Sequence, residues 1–314
     1  GENPRLIDEW QIAPNLWDAV RVSVDRRNES GLYILTGSNS IDKTSIMHTG
    51  TGRIDTLNMY PMSLFETGES NGSISLSALF RDEKALDDGC QAELSIDELI
   101  FAACRGGWPS ALFKNSDKSK LLVAQSYFEG LCREDISNID GKTRDETVTT
   151  LLLRSYARNI STTAANTSIL RDIRANTDIG ETTFYEYVAA LKKLFVIQDI
   201  EAWCPAIRSK SSIQSGNKRE FVDPSLVVSA LGVEPDYFNL DLKTFGFIFE
   251  TLCIRDLKIY SNALGGRVSY YRDRYGLEAD CVLHLRDGKY ALIEFKLGSS
   301  EIDEGAKHLI EIEK

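Results

Sequence analysis

The chain has 314 residues, 42% hydrophobic and 26% charged, with 22 glycines and 7 prolines, which predicts two or three packed units and excludes disordered and fibrous classes. Its net charge of −11 argues against broad attraction to DNA or anionic membrane, so any nucleic-acid contact must use a local patch. No run approaches the ~20 apolar residues of a membrane span, and Gly1-Glu2-Asn3-Pro4-Arg5 lacks an export pattern, so a soluble, cytoplasmic protein with no membrane partner is expected. Cys90, Cys104, Cys132, Cys204, Cys253 and Cys281 form no C-x-x-C pair and the three histidines lie far apart, which speaks against structural zinc and a disulfide framework.

Residues 1–115 alternate helical and strand-like runs, such as 16–26 and 32–35, as an α/β unit does. Leu6-Ile7-Asp8-Glu9-Trp10-Gln11 resembles the end of a Walker B strand, in which Asp8 would hold magnesium and Glu9 would polarise water. An acidic pair opening a helix is the ordinary alternative. Tyr33-Ile34-Leu35-Thr36-Gly37-Ser38-Asn39 resembles the sensor 1 strand of AAA+ ATPases, which would bring Ser38 and Asn39 toward the γ-phosphate.

Residues 116–205 read as mostly helical, with apolar residues at helical spacing over 120–136, 148–165, 167–176 and 182–194. The order helix, short turn at Asp178-Ile179-Gly180-Glu181, helix and strand at 195–200 has the outline of a winged helix-turn-helix, with a threonine of Glu181-Thr182-Thr183 as cap. Lys192 and Lys193 stand at the far end of the second helix, which favours packing or protein contact over base reading.

Within residues 206–314, Arg208, Lys210, Lys218 and Arg219 lie without an acid among them over 206–219, a nucleic-acid patch or a solvated loop. Glu220-Phe221-Val222-Asp223-Pro224 reads as a strand ending at proline, and 242–261 as a helix. Strands at 267–271, 279–285 and 290–296 and a helix at 302–312 follow. Arg286-Asp287-Gly288 suits a three-residue hairpin loop with glycine at the left-handed position. Counting back from Leu285 opposite Lys289 sets Asp280 opposite Glu294, and period-two alternation puts Lys296 on the same face. Burying these groups together costs energy unless they pair or bind an ion. Magnesium on Asp280 and Glu294 would relieve that cost, and Lys296 could position or deprotonate an attacking water. An ion pair at a sheet edge is the plainer alternative.

Asp280 followed by Glu294-Phe295-Lys296 resembles the signature of the PD-(D/E)XK nucleases, and Glu250 in Gly246-Phe247-Ile248-Phe249-Glu250 matches the extra helical acid of many members. The resemblance implies magnesium on Glu250, Asp280 and Glu294, with Lys296 assisting phosphodiester hydrolysis. Over its whole length the chain resembles a bacterial AAA-type ATPase family with a DUF4143 region. That resemblance is carried in order by Arg5 to Gln11, Leu35-Thr36-Gly37-Ser38, Gly52-Arg53-Ile54, Tyr60-Pro61-Met62-Ser63-Leu64 and Gly106-Gly107-Trp108-Pro109. It makes Arg53 a candidate for completing a neighbouring subunit's nucleotide site in a homo-oligomer; pairing with local acids is the alternative.

A P-loop pattern is missing from the chain: Gly141-Lys142-Thr143 has Ile136 where the first glycine belongs and Asp140 where phosphate would sit. The expectation is therefore part of a longer protein, with ATP a ligand only of the complete chain. The fold class expected is α/β: a partial AAA-type core, a helical winged-helix region and a mixed-sheet restriction-endonuclease-like domain. A magnesium-dependent nuclease is the leading function, and a non-catalytic, ATP-switched scaffold is the alternative.

Overall fold

The structure is a computed structural model that describes residues 4–38, 50–81, 93–205, 216–273 and 275–313. It is a mixed α/β protein. The first unit pairs β1 (Arg5–Ile7) with β2 (Tyr33–Leu35) in parallel, Leu6 facing Ile34. Between them runs α1 (Asn15–Arg27), anchored where the Trp17 ring packs 4.9 Å from that of Trp10. Asn28, in the left-handed conformation at φ 51°, ends α1 as asparagine can.

A short helix α2 (Leu76–Leu79) precedes α3 (Ile96–Arg105), which starts in a reciprocal Ser95–Glu98 capping box. After α3, Gly107 lies so close to Met62 that a Cβ would stand 2.1 Å from the Met62 carbonyl oxygen, so the Gly106-Gly107 pair is a packing requirement. Then follow α4 (Pro109–Leu112) and α5 (Asp117–Gly130), a π-helical turn (Leu131–Asp135) and α6 (Ile136–Asn138). The single helix expected over 120–136 is thus a longer run widened by one π turn.

Next come α7 (Glu146–Arg158), capped by Asp145, α8 (Asn166–Arg174) and α9 (Glu181–Lys193). The helix–turn–helix order is present, but Gly180 occupies the cap of α9 and no threonine side chain caps it. The strand expected at 195–200 consists of isolated antiparallel bridges, Ile197 with Phe221 and Ile200 with Lys218. Lys218 and Ile200 exchange both backbone hydrogen bonds at 2.9 Å.

Asp223 caps α10 (Pro224–Leu231), whose proline sits in the first turn, where its missing N–H costs nothing. After α11 (Pro235–Leu240), α12 (Leu242–Ala263) begins at a cap from Asp241 to the Thr244 amide. The antiparallel sheet β3 (Arg267–Arg272), β4 (Glu278–His284) and β5 (Tyr290–Ile293) follows, and α13 (Ser299–Glu313) ends the description. A parallel bridge from Ala202 to Tyr270 makes the arrangement around β3 mixed.

One hydrophobic core joins α3, α5, α7, α8, α9, α10 and α12 through residues such as Ile100, Phe128, Leu152, Ile169, Phe184, Leu226, Phe245 and Leu252. Ile254, one turn beyond Glu250, instead joins Ile200 and Tyr270 in a smaller cluster against the sheet. Helix α12 therefore bridges core and sheet, which fixes the height of Glu250.

Buried charges knit the amino-terminal segment to the same helix. Arg255 contacts Asp223 at 2.9 Å and Asp256 at 2.7 Å, while Asp223 accepts from the Gly107 amide at 3.0 Å and Asp256 from the Leu64 amide at 3.0 Å. Among the described residues no helix is long and apolar enough to cross a membrane. The described cysteines form no disulfide among themselves; Cys90 lies outside the described residues.

Candidate active site

The β4–β5 hairpin closes as its loop dictates. Leu285 donates to the Lys289 carbonyl at 2.8 Å, Gly288 adopts φ 91°, and the Asp287 carboxylate accepts from the Lys289 amide at 3.1 Å. Glycine is suited to that φ because a Cβ would clash there. The register pairs His284 with Tyr290, Leu283 with Ala291, Val282 with Leu292 and Cys281 with Ile293.

One step further, Asp280 and Glu294 meet at the strand end. The Asp280 Oδ2 accepts from the Phe295 amide at 3.0 Å, and the Glu294 Oε2 lies 2.9 Å from the Lys296 Nζ. β5 itself ends at Ile293 rather than at 296, because the Asp280 carboxylate takes the Phe295 amide that a ladder would use. Beside Lys296 lies an open cleft of about 360 Å³, lined also by Glu301, Glu304, Gly305 and His308 of α13. A larger one of about 520 Å³ runs along α1 and contains none of these residues.

Burial raises the Glu294 carboxyl to about 6; the Lys296 hydrogen bond opposes that rise and the nearby Asp280 charge adds to it. Lys296 is held above its ordinary value because Glu294 and Asp280 outweigh its burial. At neutral pH Lys296 is therefore a cation and hydrogen-bond donor, which suits it to position water or phosphate.

Glu250 reaches the cluster from α12, 8% exposed, but its nearest partner is another side chain. Lys218, only 1% exposed, places Nζ 2.6 Å from Glu250 Oε1, 3.6 Å from Glu278 Oε1 and 3.8 Å from Asp280 Oδ1, and donates to the Asp280 carbonyl at 3.3 Å. Facing three acids, the lysine keeps its proton well above the ordinary range despite the opposing effect of burial. Burial pushes the Glu250 carboxyl upward against the pull of Lys218; at 2.6 Å from an ammonium that faces three acids, the pair reads as ammonium and carboxylate.

Behind them Glu220 is wholly buried, its Oε1 accepting from Ser161 Oγ at 3.0 Å and its Oε2 without a hydrogen-bond partner among the described residues. Burial raises Glu220 to about 7, against the attraction of Lys258 and Lys218.

The basic segment needs correction at its described end. Lys218 and Arg219 are buried and ion-paired, not solvent-facing. Arg219 contacts Asp199 at 3.0 Å, donates to the Ala164 carbonyl at 2.8 Å and lies over the Tyr156 ring at 5.6 Å. Both belong to the bridge-forming strand that continues through Phe221 and Val222, so their side chains point into packed surroundings. Arg208 and Lys210 lie outside the described residues.

At the amino-terminal strand pair, Thr36 donates to the Asp8 carboxylate, and the Glu9 carboxylate accepts from Gln11 and, at 3.3 Å, from Ser38. Glu9 itself is in the left-handed conformation at φ 48°. Asp8, Glu9 and Ser38 thus gather where β1 and β2 end. Asn39 lies outside the described residues, and Arg53 pairs with Asp25 on α1.

Among the described residues no three His, Cys, Asp or Glu side chains stand as a group able to hold a metal ion. Asp280 and Glu294 could supply two carboxylate oxygens of the kind that a hard ion such as magnesium takes. Glu250 does not fit that role, because Lys218 sits on its oxygen.

Residues 1–68 match the family model of an AAA domain, and residues 245–314 match a domain of unknown function, DUF4143. Residues 96–237 match another domain of unknown function, DUF8612. No curated protein and no solved structure matches the chain. The Asp280–Glu294 cluster lies in the segment that matches DUF4143, and Asp8, Glu9 and Ser38 lie in the one that matches the AAA domain.

Proposed function

We propose that the cluster of Asp280, Glu294 and Lys296 hydrolyses phosphodiesters of nucleic acid with magnesium, in a protein whose amino-terminal unit belongs to an AAA-type ATPase. The observation that carries this reading is the hairpin register, which crowds two acids at one strand end with a lysine 2.9 Å from one of them. Asp280 and Glu294 would hold the ion, which when bound polarises a phosphoryl oxygen and lowers the pKa of water. Lys296, a cation at the mouth of the cleft, orients and neutralises an incoming phosphate. The Glu294 carboxyl, at about 6, stays largely ionised at neutral pH and takes a proton when the solution falls below that value. Asp8, Glu9 and Ser38 serve nucleotide chemistry once phosphate-binding residues join them.

Nicking of supercoiled plasmid in Mg²⁺ tests the proposal. Activity lost in both Glu294→Ala and Lys296→Ala, with folding intact, supports it, and activity that survives both substitutions sinks it. The second reading is a non-catalytic scaffold switched by ATP, favoured by the Lys218 ammonium that already neutralises Glu250; an inactive but folded parent chain would support it.

A further inference from the structure

Around the Lys218 ammonium stand oxygens of Glu250, Glu278 and Asp280 and the Asp280 carbonyl, all within 3.8 Å. Carboxylates and a carbonyl form the donor set that a hard divalent ion takes. The ammonium is fixed there. Its backbone is paired in both directions with Ile200, its side chain is 1% exposed, and the Tyr270 ring lies 5.7 Å from Nζ. It cannot swing into solvent to make way for an ion without opening the bridge between residues 197–200 and 218–221.

We infer that the Lys218 ammonium is the resident cation of the Glu250 half of the cluster, standing where a metal ion would otherwise be required and leaving a divalent ion only the Asp280–Glu294 half. The inference rests on the reading of Asp280 and Glu294 as metal ligands and changes it in one respect: Glu250 is a counter-ion to lysine and not a ligand. Three carboxylates without the ammonium would repel one another in a buried site. With it they stay together in the metal-free chain, and a second divalent ion is kept out by repulsion between like charges. Lys218 is thus a positioning residue that limits the number of ions the site accepts.

Electron paramagnetic resonance of Mn²⁺, read as ions bound per full-length chain, tests this. Lys218→Met is expected to bind one more Mn²⁺ than the parent and to recover in Mn²⁺ the thermal stability it loses without it. The double variant Lys218→Met/Glu250→Gln should lose that additional ion. Lys218→Arg, which keeps the charge, should match the parent.

The parent's own count reads the functional proposal separately, because a count of zero argues against ligation by Asp280 and Glu294 while the difference of one ion still reports on Lys218. The inference is overturned if folded Lys218→Met binds no more Mn²⁺ than the parent, or if Lys218→Met fails to fold even in millimolar Mn²⁺. It is equally overturned if Glu250→Gln in the parent weakens Mn²⁺ binding more than about tenfold, the effect of removing a ligand or its support.

Discussion

Replacing Glu220 by glutamine should make the protein more stable in mild alkali and leave it nearly unchanged in acid. The carboxyl is wholly buried, Ser161 donates to Oε1, and among the described residues Oε2 lacks a hydrogen-bond partner within ordinary geometry, with the Thr251 hydroxyl nearby. Burial moves it from 4.5 to about 7, with Lys258 and Lys218 opposing the shift. Its folded value lies above its unfolded one, so the folded chain binds the extra proton between those limits and stability falls as pH rises from about 4.5 to about 7. At pH 8 the ionised carboxylate therefore costs about 3 kcal/mol relative to the neutral form, a cost the isosteric glutamine does not carry. Urea denaturation of parent and Glu220→Gln from about pH 4.5 to about pH 8 reads the difference between the two proteins. Near pH 4.5 they should agree within about 0.5 kcal/mol, and the gap should open in favour of the variant through neutrality. A gap independent of pH, or a parent more stable at pH 8, would refute the reasoning.

Two further substitutions probe how the amino-terminal segment is held. Gly107→Ala would drive a Cβ to 2.1 Å from the Met62 carbonyl oxygen, and because backbone on both sides must move, a loss of about 3 kcal/mol or more is expected in thermal or urea denaturation. Asp223→Asn leaves the shape but weakens the buried pair with Arg255, and should cost about 3 kcal/mol by the same measurements; limited proteolysis should show earlier cleavage between residues 50 and 81, whose Leu64 amide is tied to the neighbouring Asp256.

The hairpin was legible because it is local: a three-residue loop ending in glycine sets the register, and counting along two strands places Asp280 beside Glu294. The strand-like run at 32–35 and the long helix α12 were legible from apolar spacing, whereas the parallel pairing of β1 with β2 and the Asp241 cap are seen only in the fold. Lys218 was misread because its partners lie 32 and 62 residues away in the chain, so charge in the surrounding sequence suggested solvent. Residues 218–222 are all buried, so no alternation of charged and apolar residues marks Lys218 as inward. Arg255 escaped notice for the same reason, since Asp223 pairs with it across 32 residues. Helix α10 is short, opens on a proline and is buried almost throughout, so tertiary burial rather than periodicity defines it.

Titration of Glu294 by carbon-13 NMR, in the parent and in Asp280→Asn, tests most directly whether Asp280, Glu294 and Lys296 form one electrostatic site. The parent carboxyl should titrate at about 6. In Asp280→Asn it should fall, because the charge of Asp280 and its interaction with the protonated Glu294 carboxyl are removed while Lys296 stays. A value that does not move between the two proteins would contradict the shared site.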